Sequence, residues 1–198
     1  MGLIITLVDI GAFFDKEDIY DVMQTFHNIG VNPKAARVWY KLNEKTEIAI
    51  KTASGVTDTR VVGDCIGQGT AGAALVSQVN LDKGLTEYFG DSDSEAGISY
   101  GDVRLQPLAF QDDIMNSSKD VMGAQVGNMK LASMFQDKGL EAHPDKTCFI
   151  VCGSKSFKEK MEKELVVNPL KFQNFEVKKR ESDRCLGQVL HEGGHRFC

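Results

Sequence analysis

Hydrophobic and polar positions alternate in short blocks, and the blocks predict strands and helices in mixed order. Residues 3–8 form a short apolar run ending at Asp9, the pattern of a buried strand. Asp15 stands where a helix N-cap belongs. Ile19, Val22, Met23, Phe26 and Ile29 follow at helical spacing, and Gly30 ends that helix. Pro33 opens a second helix through Asn43, with Val38 and Leu42 expected inward. Residues 46–52 and 57–64 read as strands around Ser54-Gly55. Gly67-Gln68-Gly69 leads into a helix through Leu81 with a small inner face of Ala71, Ala73, Ala74, Leu75 and Val79, and residues 84–101 read as a polar loop.

Residues 103–110 and 114–116 flank Gln111-Asp112-Asp113 as strand, turn and strand. A helix from Asp120 to Lys138 stops at Gly139. Thr147–Val151 reads as a strand, Phe157–Leu165 as a charged amphipathic helix, and Phe172–Lys179 with Arg184–Leu190 as a final pair of strands. Residues 191–198 show no pattern. The predicted class is α+β, a small antiparallel sheet with helices packed on one face.

At 198 residues the chain fits one compact domain, and 42% hydrophobic content excludes a collagen-like or wholly disordered chain. No apolar run reaches the roughly 20 residues of a membrane span, and no signal peptide is visible, so no membrane partner is expected. The net charge of −5 argues against a sequence-blind nucleic-acid binder, but it is uneven: residues 1–145 carry net −9 and residues 146–198 net +4. The five cysteines, Cys65, Cys148, Cys152, Cys185 and Cys198, are odd in number and irregular in spacing, which points to a reducing intracellular compartment.

Three carboxylates carry the candidate chemistry. Asp9 ends an apolar strand, where an unpaired buried charge is costly. Asp112 and Asp113 follow the apolar segment Pro107-Leu108-Ala109-Phe110 and need a tight turn to act together, since neighbours on a straight strand face opposite ways. Carboxylates at strand ends can hold two Mg²⁺ ions, one activating a hydroxyl and the other stabilising a leaving phosphate. Taken singly, Asp112-Asp113 reads more readily as a turn and Asp9 as a strand-end residue.

Together and in order, the motifs resemble those of reverse transcriptases. Asp9-Ile-Gly-Ala-Phe-Phe14-Asp15 is similar to the first palm motif, in the version of non-LTR retrotransposons and group II introns. Val62-Gly63-Asp-Cys-Ile-Gly67-Gln68-Gly69-Thr70 resembles the Gly-x-Pro-Gln-Gly-Ser motif, and Phe110-Gln111-Asp112-Asp113 the aromatic-x-Asp-Asp signature. Gly139-Leu140 through Lys146-Thr147 and Cys185-Leu186-Gly187 are similar to the two blocks that follow, the second being the primer-grip hairpin. The resemblance covers roughly residues 3–190 and implies a polymerase palm with a ferredoxin-like core, followed by a disordered tail at 191–198. It implies Asp9 and Asp112 as main metal ligands, Asp113 as auxiliary carboxylate, and two Mg²⁺ ions with Mn²⁺ as substitute. It further implies Phe14 as the gate against a 2′-hydroxyl, Gln68 and Gly69 as walls of the base-pair pocket, Lys146 as general acid toward pyrophosphate, and Leu186-Gly187 as primer grip. The implied partners are an RNA or DNA template-primer and dNTP.

Three departures stand out. Gly67 replaces the usual Pro and loosens that turn. Gln111 occupies a position usually held by Ala, Val or Met. The family's fingers and thumb are missing, so the expectation is a nearly isolated palm from a retroelement polymerase; the alternative is an inactive palm remnant that keeps a nucleic-acid or protein contact. A nucleotide cyclase on a similar palm lacks the Gln-Gly turn and the Leu-Gly hairpin.

Other motifs carry less. Gly67-Gln-Gly-Thr-Ala-Gly72 fits a dinucleotide fingerprint, but no second apolar strand ending in an acid follows. His191-Glu192-Gly-Gly-His195 fits a zinc-protease pattern, but adjacent glycines oppose the helix it needs. Cys148 and Cys152 read as thiols of a sheet rather than as zinc ligands with His191 and His195. The Lys- and Glu-rich span 155–170 reads as a solvated helix face.

Overall fold

Ile4, Thr6, Leu7 and Val8 are nearly inaccessible although neighbours along a strand face opposite ways, so this segment lies at the centre of a sheet covered on both sides. It forms β1 (Gly2–Asp9). The computed structural model of the chain describes residues 2–62, 66, 72–90, 96–185 and 188–193. The chain divides into two compact units, Met1–Gly11 with Gly84–Cys198, and Ala12–Lys83.

In the second unit, α1 (Phe13–Lys16), α2 (Ile19–Asn28) and α3 (Pro33–Asn43) precede β2 (Thr46–Ile48), β3 (Lys51–Thr52), β4 (Gly55–Val56) and β5 (Arg60–Val62). The N-cap of α2 is Asp18, not Asp15: the Asp18 carboxylate accepts from the Tyr20 amide at 2.7 Å, while Asp15 sits inside the short α1. Asn32 caps α3 through the Lys34 amide, and Pro33 supplies its first position. Val38 and Leu42 are 60% and 76% exposed, contrary to expectation. The face of α3 that turns inward carries Ala36, Trp39 and Asn43, one helical turn apart. Val22, Phe26, Ala36, Ile66, Ala73 and Val76 form the unit's core. The hairpin around Ser54 is present, with β3 paired to β4 and β2 to β5.

α4 (Ala73–Phe89) is longer than its sequence predicts. Residues 84–89 continue the helix because Leu81, Leu85 and Phe89 recur every four residues and are all buried. Gly84 lies close to α5, and a Cβ there would require the Lys138 and Met134 side chains to shift. Leu75 is exposed while Val76 is buried, so the inner face is rotated by one residue from the expected one.

The first unit continues with β6 (Ile98–Tyr100), β7 (Val103–Leu105), β8 (Leu108–Phe110), β9 (Asp113–Ser118), α5 (Val121–Asp137), β10 (Cys148–Gly153) and α6 (Lys155–Val167). It ends with β11 (Lys171–Phe172), β12 (Phe175–Glu176), β13 (Lys178–Lys179), β14 (Ser182–Cys185) and β15 (Gln188–His191). The main sheet has the order β13-β10-β1-β9-β8. Its pairs are antiparallel except β10–β13, which is parallel, so the sheet is mixed rather than wholly antiparallel. The intervening α6 and the β11–β12 hairpin supply the crossover a parallel pair requires.

α5 packs on β9 and β1, and α6 on β10. Asp120 caps α5, and Gly139 follows it with φ of +65°. A Cβ at Gly127 would collide with the Asn116 amide, so this glycine allows α5 to approach the sheet closely. On the other face, Leu7, Cys148 and Ile150 form a cluster with Ile5, Met115, Cys152 and Leu190. The two last strand segments do not pair with each other: β11 pairs β12, and β14 pairs β15. Two short hairpins with local turns form in place of one long-range pair.

Candidate active site

Asp9 is the last residue of β1 and Asp113 the first of β9, and the two are Cα partners across the antiparallel ladder. Directly paired residues share a face of the sheet, so both carboxylates lie on the side opposite α5, with Leu7 and Met115. The turn that makes this possible is short. Phe110 pairs Asp113, leaving Gln111 and Asp112 as the loop of the β8–β9 hairpin. Gln111 takes φ of +54°, the positive value at the first loop position that type II′ turns require. The Asp112 carbonyl accepts from the Ile10 amide at 2.9 Å, which extends the contact between β1 and the hairpin past the ladder.

The loop after α5 closes the site from the other side. Gly11 donates to the Glu141 carbonyl and His143 to the Asp9 carbonyl, both at 2.8 Å. A turn follows in which the Lys146 and Thr147 amides both donate to the His143 carbonyl. This turn carries the Lys146 ammonium to 3.2 Å from each Asp9 oxygen. Lys178 donates to the Asp145 carboxylate at 3.1 Å and holds that carboxyl below its usual range.

A cavity of about 140 Å³ opens here, lined by Asp9, Asp113, Lys146, Arg180 and Asp183 over Leu7. Asp112 does not line it and stays in the adjoining loop. Among the described residues no three Asp, Glu, His or Cys side chains converge as a metal-holding group. The donor set nevertheless fits Mg²⁺: Asp9 and Asp113 offer only hard oxygen ligands, and Mg²⁺ is usually held by one or two carboxylates, with water and substrate phosphate filling its remaining positions.

Arg180 and Asp183 belong to this site but escaped sequence reading, because no spacing links residue 180 to residues 9 or 113. They form an ion pair with each other. Asp183 also accepts from the buried Cys148 thiol at 3.0 Å. Phe14 lies in α1 and packs against the core of the unit Ala12–Lys83, its ring 5.5 Å from that of Phe13. Gln68, Gly69, Leu186 and Gly187 lie outside the described residues, as do most of the glycine fingerprint and His195. Cys148 and Cys152 sit on β10 as sheet thiols. Burial pushes the Cys152 thiol up. Among the described residues no helix is long and apolar enough to cross a membrane.

No protein-family model matches the sequence, and no curated protein does either. Solved structures are similar in fold. The apo telomerase of Candida tropicalis, truncated from its C-terminal domain, superposes with a TM-score of 0.60 at 9% identity over 96% of this chain and 34% of that one. The telomerase of Candida albicans, in complex with the TWJ fragment of telomeric RNA, gives 0.54 at 12% identity over 96% of this chain and 29% of that one. The chain therefore spans about a third of the structures it resembles. The chain thus has an α+β fold like that of the telomerase segments it superposes on.

Proposed function

We propose that the chain is the palm of an RNA-directed DNA polymerase of the non-LTR retroelement or group II intron type, and that it performs template-directed DNA synthesis. The observation that supports this reading is the pairing of Asp9 with Asp113 beside the Asp112 loop, on one cavity with Lys146. The fold likeness to telomerases, one of them solved with an RNA fragment, supports an RNA partner; the template-primer role of that partner and dNTP as substrate rest on the motif resemblance.

In this reading Asp9 and Asp113, joined by Asp112 from the adjoining loop, would hold two Mg²⁺ ions. The chemistry such ions would supply is charge neutralisation on the transferred phosphoryl group and easier ionisation of the primer 3′-hydroxyl. Positioning is the rest of the protein's task, since phosphoryl transfer asks for little covalent chemistry. Lys146 carries its proton on Nζ and gives it to the pyrophosphate oxygen that leaves. Phe14 excludes the ribonucleotide 2′-hydroxyl, Gln68 and Gly69 wall the nascent pair, and Leu186-Gly187 steadies the primer end.

A second reading has one observation in its favour. The Lys146 ammonium bridges both Asp9 oxygens, so the carboxylate is already neutralised, as in a palm that keeps its fold without turnover. Primer extension on an RNA template with dNTPs and Mg²⁺ separates the two. The polymerase reading predicts extension that stops when Mg²⁺ is chelated. A folded chain that binds template-primer without extending it supports the remnant.

A further inference from the structure

We infer that Arg180 is a positioning residue for Lys146, acting through the backbone of Asp145. The inference deepens the polymerase reading, in which Lys146 is the proton donor. Lys146 is 60% exposed, and a long exposed side chain is placed only as well as the backbone that carries it. That backbone is the short turn 143–147. One end is tied to β1 by the His143 amide on the Asp9 carbonyl.

The other end is tied by Arg180. Its Nη2 donates to the Asp145 carbonyl at 2.6 Å. That oxygen belongs to the same rigid peptide plane as the Lys146 nitrogen, so fixing it fixes the direction in which Lys146 leaves the chain. The other arm, Nη1, pairs with Asp183, which is held in turn by the Cys148 thiol. The Arg180 amide donates to the Phe149 carbonyl at 2.9 Å, anchoring the arginine's own backbone beside β10. Arg180 is thus aimed from three sides, and only a planar fork reaches Asp183 and the Asp145 carbonyl together. The Lys178–Asp145 pair is a weaker link, since both side chains are more than two-thirds exposed.

Amide hydrogen exchange of the whole chain tests this without relying on activity. Arg180→Gln is expected to speed exchange at Lys146 and Thr147 by about tenfold while the α5 amides stay protected. Arg180→Lys keeps a charge for Asp183, guards against misfolding, and is expected to loosen the same two amides, because an ammonium cannot serve both partners. Lys178→Ala keeps the carbonyl contact and is expected to leave those amides unchanged. Unchanged exchange at Lys146 and Thr147 in both Arg180 variants overturns the inference. So does loosening of equal size in Lys178→Ala. In single-nucleotide incorporation, Arg180→Lys is expected to lower kcat about tenfold with the KM for dNTP unchanged. A KM change alone contradicts a positioning role. A wild type that does not extend primers removes the polymerase reading, and the exchange data still decide the tether.

Discussion

The Lys146 ammonium lies 3.2 Å from each carboxylate oxygen of Asp9, joining residues 137 positions apart. Asp9 is 17% exposed at the end of a buried strand, so some cation is needed to balance it. In the chain by itself Lys146 serves as that cation. The residue assigned to proton donation and the carboxylate assigned to metal binding therefore start in contact.

Removing this contact has two expected effects. Lys146→Gln costs less than about 1 kcal/mol of stability, because the lysine is mostly solvated. Mn²⁺, used as the probe in calorimetric titration, binds the variant more tightly, because the competing ammonium is gone. Weaker Mn²⁺ binding in the variant contradicts the assignment of Asp9 to the metal. In primer extension, loss of the general acid is expected to slow incorporation by about a hundredfold.

Phe14→Val tests the sugar gate. Phe14 is half-buried against the Val22 and Phe26 core, so the change costs about 1–2 kcal/mol and leaves the unit folded. Ribonucleotide incorporation relative to deoxyribonucleotide is expected to rise. An unchanged ratio in a competition assay removes Phe14 from that role.

Acid titration probes the Lys146 turn. The hydrogen bond from Lys178 is the largest influence lowering the Asp145 carboxyl. A lowered carboxyl stabilises the fold fully above its unfolded value, about 4. That contribution is lost as pH falls through the folded value. The Tm gap between wild type and Lys178→Met is therefore expected to be constant from pH 7 to about 5 and to close below about 4. A gap that widens in acid contradicts the pairing.

Gly127→Ala separates packing from helix propensity. In an exposed helix Ala is favoured over Gly by about 1 kcal/mol. Here the new methyl meets the Asn116 amide, which is buried between α5 and the sheet. Chemical denaturation is expected to show a net loss of about 1–3 kcal/mol. A gain means that α5 does not approach the sheet as described.

Much of the site's scaffold was legible because its signals are local. The apolar run to Asp9, the aromatic before Asp112-Asp113 and the glycine after α5 each mark an element within a few residues, and β1 and α5 are present as read; the hairpin is present too, but residues 103–110 split into β7 and β8, and Asp113 belongs to β9 rather than to the turn. The failures come from tertiary choice. Val38 and Leu42 are apolar at helical spacing, yet α3 buries Ala36 and Asn43 instead. Residues 84–89 look polar, but Leu85 and Phe89 keep the helix going. The pairing of β10 with β13, and Arg180 on the Asp145 carbonyl, depend on a crossover through α6 that no local pattern records.

Whether the three carboxylates support DNA synthesis is decided by primer extension on an RNA template with dNTPs and Mg²⁺, comparing the chain with Asp112→Asn. Asp112 sits in a partly buried two-residue hairpin loop and contributes its backbone carbonyl to Ile10, which the substitution preserves, so the variant stays folded. Extension is expected from the wild type and none from the variant. Extension at the same rate in both contradicts the metal assignment and, with it, the polymerase mechanism.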